Sequence, residues 1–159
     1  MTFRMSARTG IILVLLLVSV NVSAQTEELL SGIYIMTTPP KKVPCGNEAR
    51  MIIGNQKICI SKKPIVAASE LTYATDIQYD PKYELHYIDI GLSPSGARTL
   101  GQTIESLPES QFALALNNQV ICVFKLTSGF TIRSFRIGND IQLKDLNVIH
   151  EALKDVKFN

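Results

Sequence analysis

Tyr83-Glu84-Leu85-His86-Tyr87-Ile88-Asp89-Ile90-Gly91-Leu92-Ser93-Pro94-Ser95-Gly96-Ala97-Arg98 is the stretch whose reading decides the fold. Its first ten residues alternate, so that His86, Ile88, Ile90 and Leu92 share one face of a strand. The period then changes. Ser93 is placed to accept a hydrogen bond from an orphan helical N–H, and Pro94 suits the first helical turn. Ala97, Leu100, Gly101, Ile104 and Leu107 follow as one helical stripe, which Pro108 ends. Upstream, Glu70–Tyr79 reads as a strand joined to Tyr83–Leu92 by the Asp80-Pro81-Lys82 turn, an antiparallel hairpin. Downstream, Gln111–Leu116 places Phe112, Leu114 and Leu116 on one face, and Asn117-Asn118 is a turn because Asn tolerates positive φ. Val120–Leu126 is apolar on both faces, as a doubly covered strand would be. Phe130–Ile137 reads as a further strand. Gly138-Asn139-Asp140 then leads into a helix with Leu143, Leu146, Ile149 or His150, Leu153 and Val156 inward. The order β-β-α-β-β-β-α indicates an α+β fold, a mainly antiparallel sheet with two helices packed on one face, preceded by a short β-rich N-terminal segment.

The 159 residues favour one globular body, and 46% hydrophobic content argues against disorder. Residues 1–24 carry the pattern of a secretory leader. Arg4 and Arg8 precede the apolar run Ile11–Val20, and Val22-Ser23-Ala24 ends in small residues, so cleavage is expected between Ala24 and Gln25. That run is shorter than the roughly 20 residues a spanning helix needs. The formal charge of +2 comes from 16 Lys and Arg against 14 Asp and Glu, and Arg4 and Arg8 account for the excess. A mature chain of zero net charge gives no basic footprint for nucleic acid. The expected location is periplasmic or secreted. Two breaks, the proline-rich 37–44 and Lys62-Lys63-Pro64, divide the mature chain into a 25–63 segment and a 64–159 domain.

Cys45 and Cys59 flank a stretch that reads as two short strands about Gly54-Asn55-Gln56. An oxidising compartment permits a bridge there, but spacing alone leaves the bridged and unbridged forms open. Cys122 sits in an apolar strand and reads as a buried thiol. No CxxC pair or G-x-S-x-G element occurs, and His86 and His150 keep apolar company, so catalytic residues, metal and cofactor are not expected. Tyr73, Tyr79, Tyr83 and Tyr87 cluster across the first hairpin. Cross-strand packing accounts for them, and an aromatic contact patch for polypeptide is the functional alternative. Arg133 and Arg136, with Lys125, form either a small basic strand face or a solvated edge.

The block 64–159 resembles the head subdomain of the large periplasmic domain of SecD and SecDF, membrane components that assist protein export. The likeness rests on Pro64-Ile65-Val66 with Asp76–Asp80, on Asp89–Arg98 entering the first helix, on the Phe112–Val120 hairpin, and on Gly138-Asn139 with Leu143–Leu146 and Glu151-Ala152-Leu153. It departs from the family at Asn118, where glycine is usual, and at Ile132–Ile137. After the leader no second long apolar run follows, so the resemblance implies a fold and a contact mode rather than a membrane-coupled engine. The function expected from it is an exported, non-enzymatic module that binds polypeptide or an envelope protein partner. The alternative is a structural or self-assembling accessory envelope protein.

Overall fold

The structure, a computed structural model, describes residues 29–37, 44–126, 133–138, 141–156 and 158. The expected leader lies outside these residues. In chain order the strands are β1 (Gly32–Ile35), β2 (Asn47–Arg50), β3 (Lys57–Ile60), β4 (Val66–Ala67), β5 (Leu71–Ala74), β6 (Gln78–Asp80) and β7 (Leu85–Leu92), then β8 (Gln111–Leu116), β9 (Gln119–Lys125) and β10 (Ser134–Ile137). Helix α1 (Pro94–Ser106) follows β7, and α2 (Leu143–Lys154) follows β10. One antiparallel sheet runs β4-β1-β8-β9, a second runs β10-β7-β5 with β6 also on β7, and β2-β3 form a separate hairpin. This is the α+β, mainly antiparallel arrangement expected. Among the described residues no helix is long and apolar enough to cross a membrane.

Local chemistry sets the elements. Ser93 caps α1, its Oγ accepting from Gly96 N–H at 3.0 Å, and Pro94 occupies the first turn. Ala97, Leu100 and Ile104 of α1 and Leu146, Ile149 and Leu153 of α2 are buried with Ile88 and Ile90 of β7 and Phe112 and Leu114 of β8. Burying each of the larger side chains contributes roughly 1.5–3 kcal/mol. Leu143, expected on the inward stripe of α2, is instead exposed at the first residue of the helix, and the buried stripe starts at Leu146. The residue at the N-cap is Gln142, without a side-chain cap, rather than one of Gly138-Asn139-Asp140; residues 139 and 140 lie outside the described residues.

The β1-β8-β9 sheet is covered on both sides. Phe112, Leu114 and Leu116 face the helices, while Ala113 and Ala115, with Tyr34 and Val120, face Ala49, Ile58 and Ile60 of the β2-β3 hairpin. Alanines on this side let the hairpin approach closely. Cys45 and Cys59 are bridged, so the open choice at this pair resolves to a stapled hairpin. The expected division near Pro64 falls between β3 and β4, yet β1 hydrogen-bonds to β4 on one side and β8 on the other. The sheet thus runs across that point in the chain.

The expected strand Glu70–Tyr79 is interrupted. Ala68–Glu70 forms a single 3-10 turn, β5 ends at Ala74, and β6 begins at Gln78. Tyr73 pairs with Gly91 and Tyr79 with His86, so six steps along one strand match five along β7, which is a bulge at residues 75–77. Tyr83 and Glu84 belong to the turn before β7, and Glu84 has φ 52°. Glu84 therefore does not share a strand face with His86. Of the expected strand Phe130–Ile137, Ser134–Ile137 is strand, Arg133 precedes it, and 130–132 lie outside the described residues.

Candidate functional site

Strand β7 sends Ile88 and Ile90 into the core, so Tyr87, Asp89 and Gly91 point to the opposite, outer face. Register places Tyr73 of β5 across from Gly91, Gln78 of β6 across from Tyr87, and Arg136 of β10 across from Asp89. The outer face is built around Arg136. Its guanidinium carbon lies 3.5 Å from the Tyr87 ring centroid. Nε donates to Asp89 Oδ1 at 3.0 Å and Nη2 to Asp89 Oδ2 at 3.4 Å, while Nη1 is 3.6 Å from Asp80 Oδ2. The hydrogen bond it donates to Asp89 is the main reason that Arg136 is held even further above the range where it would lose its proton. Two carboxylates and a ring engage this cation, so it anchors the face and does not offer a free charge to a partner.

Tyr73 lies across the backbone of Gly91. A Cβ there would come within 2.1 Å of the Tyr73 ring, so glycine is required for this close approach. Tyr79 is turned to the other side of β7 by the bulge, and its ring meets His86 at 5.0 Å between centroids. Tyr83 sits on the β6–β7 turn with Lys82 Nζ 5.0 Å from its centroid. Tyr73, Tyr79 and Tyr83 are 46%, 54% and 62% exposed, whereas Tyr87 is half-covered by Arg136. The four tyrosines thus form no single patch. Tyr73 and Tyr87 share the outer face, Tyr83 marks its end, and Tyr79 lies behind it. Arg133 is exposed just before β10. Lys125 is paired with Glu109, and it lines a cavity of about 350 Å³ together with Arg136.

Residues weighed for chemistry are held in structural roles. His150 Nε2 is 3.1 Å from Asp76 Oδ1, tying α2 to the bulge between β5 and β6. Burial pushes the Cys122 thiol up to about 12, which leaves it unreactive as a nucleophile at neutral pH. Among the described residues no three His, Cys, Asp or Glu side chains gather as a metal site. Sequence reading missed Asp80 and Asp89 as partners of Arg136, because the β7–β10 pairing joins segments 47 residues apart. The alternation of Asp89 with Ile88 and Ile90 was the available signal that it faces outward. The outer face thus presents the phenol rings of Tyr73 and Tyr87 beside one guanidinium held by two carboxylates.

No protein family's sequence profile matches the chain, and no curated protein matches it. Among solved structures it is similar to one described as the crystal structure of SecDF in a super-membrane-facing form, with TM-score 0.50 and 11% identity, covering 82% of this chain and 20% of that one. The chain thus spans about a fifth of that protein's length, and identity this low shows shared fold alone. The covered part, about 130 of 159 residues, exceeds the 96 residues from 64 to 159. The likeness therefore extends to residues before Pro64.

Proposed function

We propose that this chain is an exported, non-enzymatic module that binds polypeptide or an envelope protein partner through the face marked by Tyr73, Tyr83 and Tyr87. The observation that carries the reading is the likeness to SecDF, a fold related to protein export, over most of the chain. Two features support it. Two tyrosines of this face, Tyr73 and Tyr83, are open to solvent, and tyrosine supplies large contact area with a hydrogen-bonding tip. The Cys45–Cys59 bridge suits an oxidising compartment, in keeping with the leader at 1–24 and a periplasmic or secreted location.

The experiment is photo-crosslinking in the native cell envelope with a probe at Tyr73 or Tyr83, since Tyr87 lies beneath Arg136. Adducts with exported chains or the translocon are the expected result. Adducts only between copies of this chain would favour the accessory, self-assembling role, and a chain found in the cytoplasm on fractionation would overturn the reading.

A further inference from the structure

A groove of about 590 Å³ opens at the β8–β9 turn, between the tip of the β2-β3 hairpin and α2. Its floor is Leu116 and Ile121, both almost fully buried at the β8–β9 end of the sheet. One wall is Ile52, from the turn of the β2-β3 hairpin, and the other is Val148 and Ala152 of α2. Val148 is 42% exposed, an apolar β-branched residue on a helix surface where a polar one would cost nothing. The rim nearest the helix end carries Glu151, Lys154 and Asp155. Lys154 Nζ is bonded to Glu151 at 2.7 Å, so those two charges cancel. Asp155 has no ion-pair partner among the described residues and sits at the C-terminal end of α2, where the unpaired carbonyls add partial negative charge. Asn117 and Gln119 of the β8–β9 turn add polar groups to the lining, so the cleft has apolar walls, a polar margin and one negative end, and is complementary to an apolar group carrying a cation beside it.

We infer that this groove is a second contact site, which takes an apolar side chain of an extended polypeptide between Ile52 and Val148 and sets a neighbouring Lys or Arg against Asp155. The volume falls within the roughly 300–1,000 Å³ of ordinary ligand sites and admits more than one side chain. Lys and Arg suit the position because their stems are apolar and their heads charged. The inference rests on the polypeptide-binding reading but puts this contact on residues other than Tyr73, Tyr83 and Tyr87.

The test is fluorescence anisotropy of the full mature chain with two short unstructured peptides. Both carry Leu and Phe, flanked by Arg in one and by Glu in the other. The Arg peptide is expected to bind about tenfold more tightly than the Glu peptide, a difference of about 1.4 kcal/mol. Asp155→Lys should abolish that preference, and raising salt should shrink it. Val148→Arg should also remove that preference, whereas Tyr73→Ser and Tyr83→Ser should weaken both peptides alike and leave the preference intact. Val148 and Asp155 are exposed, so thermal melts will show each variant folded. A preference that survives Val148→Arg and Asp155→Lys but is lost in the tyrosine variants overturns the groove and leaves the polypeptide-binding reading standing. Equal binding of the two peptides overturns the charge assignment, and binding of neither overturns both.

Discussion

Glu70 caps a helix that begins 24 residues after it. Its Oε2 accepts from the Ser93 hydroxyl, from Ser95 Oγ at 2.6 Å and from Gly96 N–H at 3.1 Å, so a side chain from the 3-10 turn completes the N-terminus of α1. The Ser93 hydroxyl foremost, then Ser95, holds the Glu70 carboxyl below its ordinary value of 4.5. Folding therefore favours the ionised form. The stabilisation is present above pH 4.5 and is lost as pH falls through the lowered value. Glu70→Gln is expected to lower the urea midpoint at neutral pH, with the gap from wild type closing in acid. A gap of constant size across that range would contradict the assignment. Ser93 and Pro94 were legible as a helix start because capping is local, whereas Glu70 was not, because nothing in its neighbourhood points to α1. Asn118, a departure from the glycine of the SecD pattern, also has a tertiary reason. At φ 67° it holds the turn, and its Oδ1 accepts from Leu29 N–H at 2.8 Å, which glycine could not do.

The β2-β3 hairpin shows the same limit at the scale of elements. Gln111–Leu116 was legible as a strand with its large side chains on one face, and the small residues opposite gave no hint of a second cover. Ala113 and Ala115 are as buried as Phe112 and Leu114 because the hairpin lies on them. The Cys45–Cys59 bridge spans a sequence separation of 14, for which chain entropy gives about 3 kcal/mol. Replacing both cysteines by serine is expected to lower stability by about that amount in urea titration. Cys122, buried under the opposite face of the sheet, reports how far the damage travels. If the hairpin alone loosens, Cys122 stays unreactive to a thiol reagent in the folded variant; rapid labelling would mean that the bridge holds the whole body. The bulge at 75–77 is a further feature beyond the reach of strand alternation. One extra residue reverses Tyr79 relative to Tyr73, which is why a cluster regular in sequence is divided in space.

For the whole molecule, the strand order puts β1 between β4 and β8, so the orderly block after Pro64 is not closed without it. A chain beginning at Pro64 would leave one edge of β8 and both core-facing isoleucines of β1, Ile33 and Ile35, without replacement. Such a chain is expected to show no cooperative thermal transition by circular dichroism, and a sharp transition would establish 64–159 as an independent unit. The α+β class was legible because the period switches from two to 3.6 and back within single stretches. The place of β1 was not, since pairing partners so distant leave no local trace. The same strand order has a consequence in time. Synthesis delivers β1 early, but Ile33 pairs with Leu114, and β8 is complete only at residue 116 of 159. Loop-closure entropy has to be met before that contact stabilises anything, and pairings of this range are slow to form. The growing chain therefore stays threadable, with no closed body to obstruct passage through a narrow channel, until most of its length has been made.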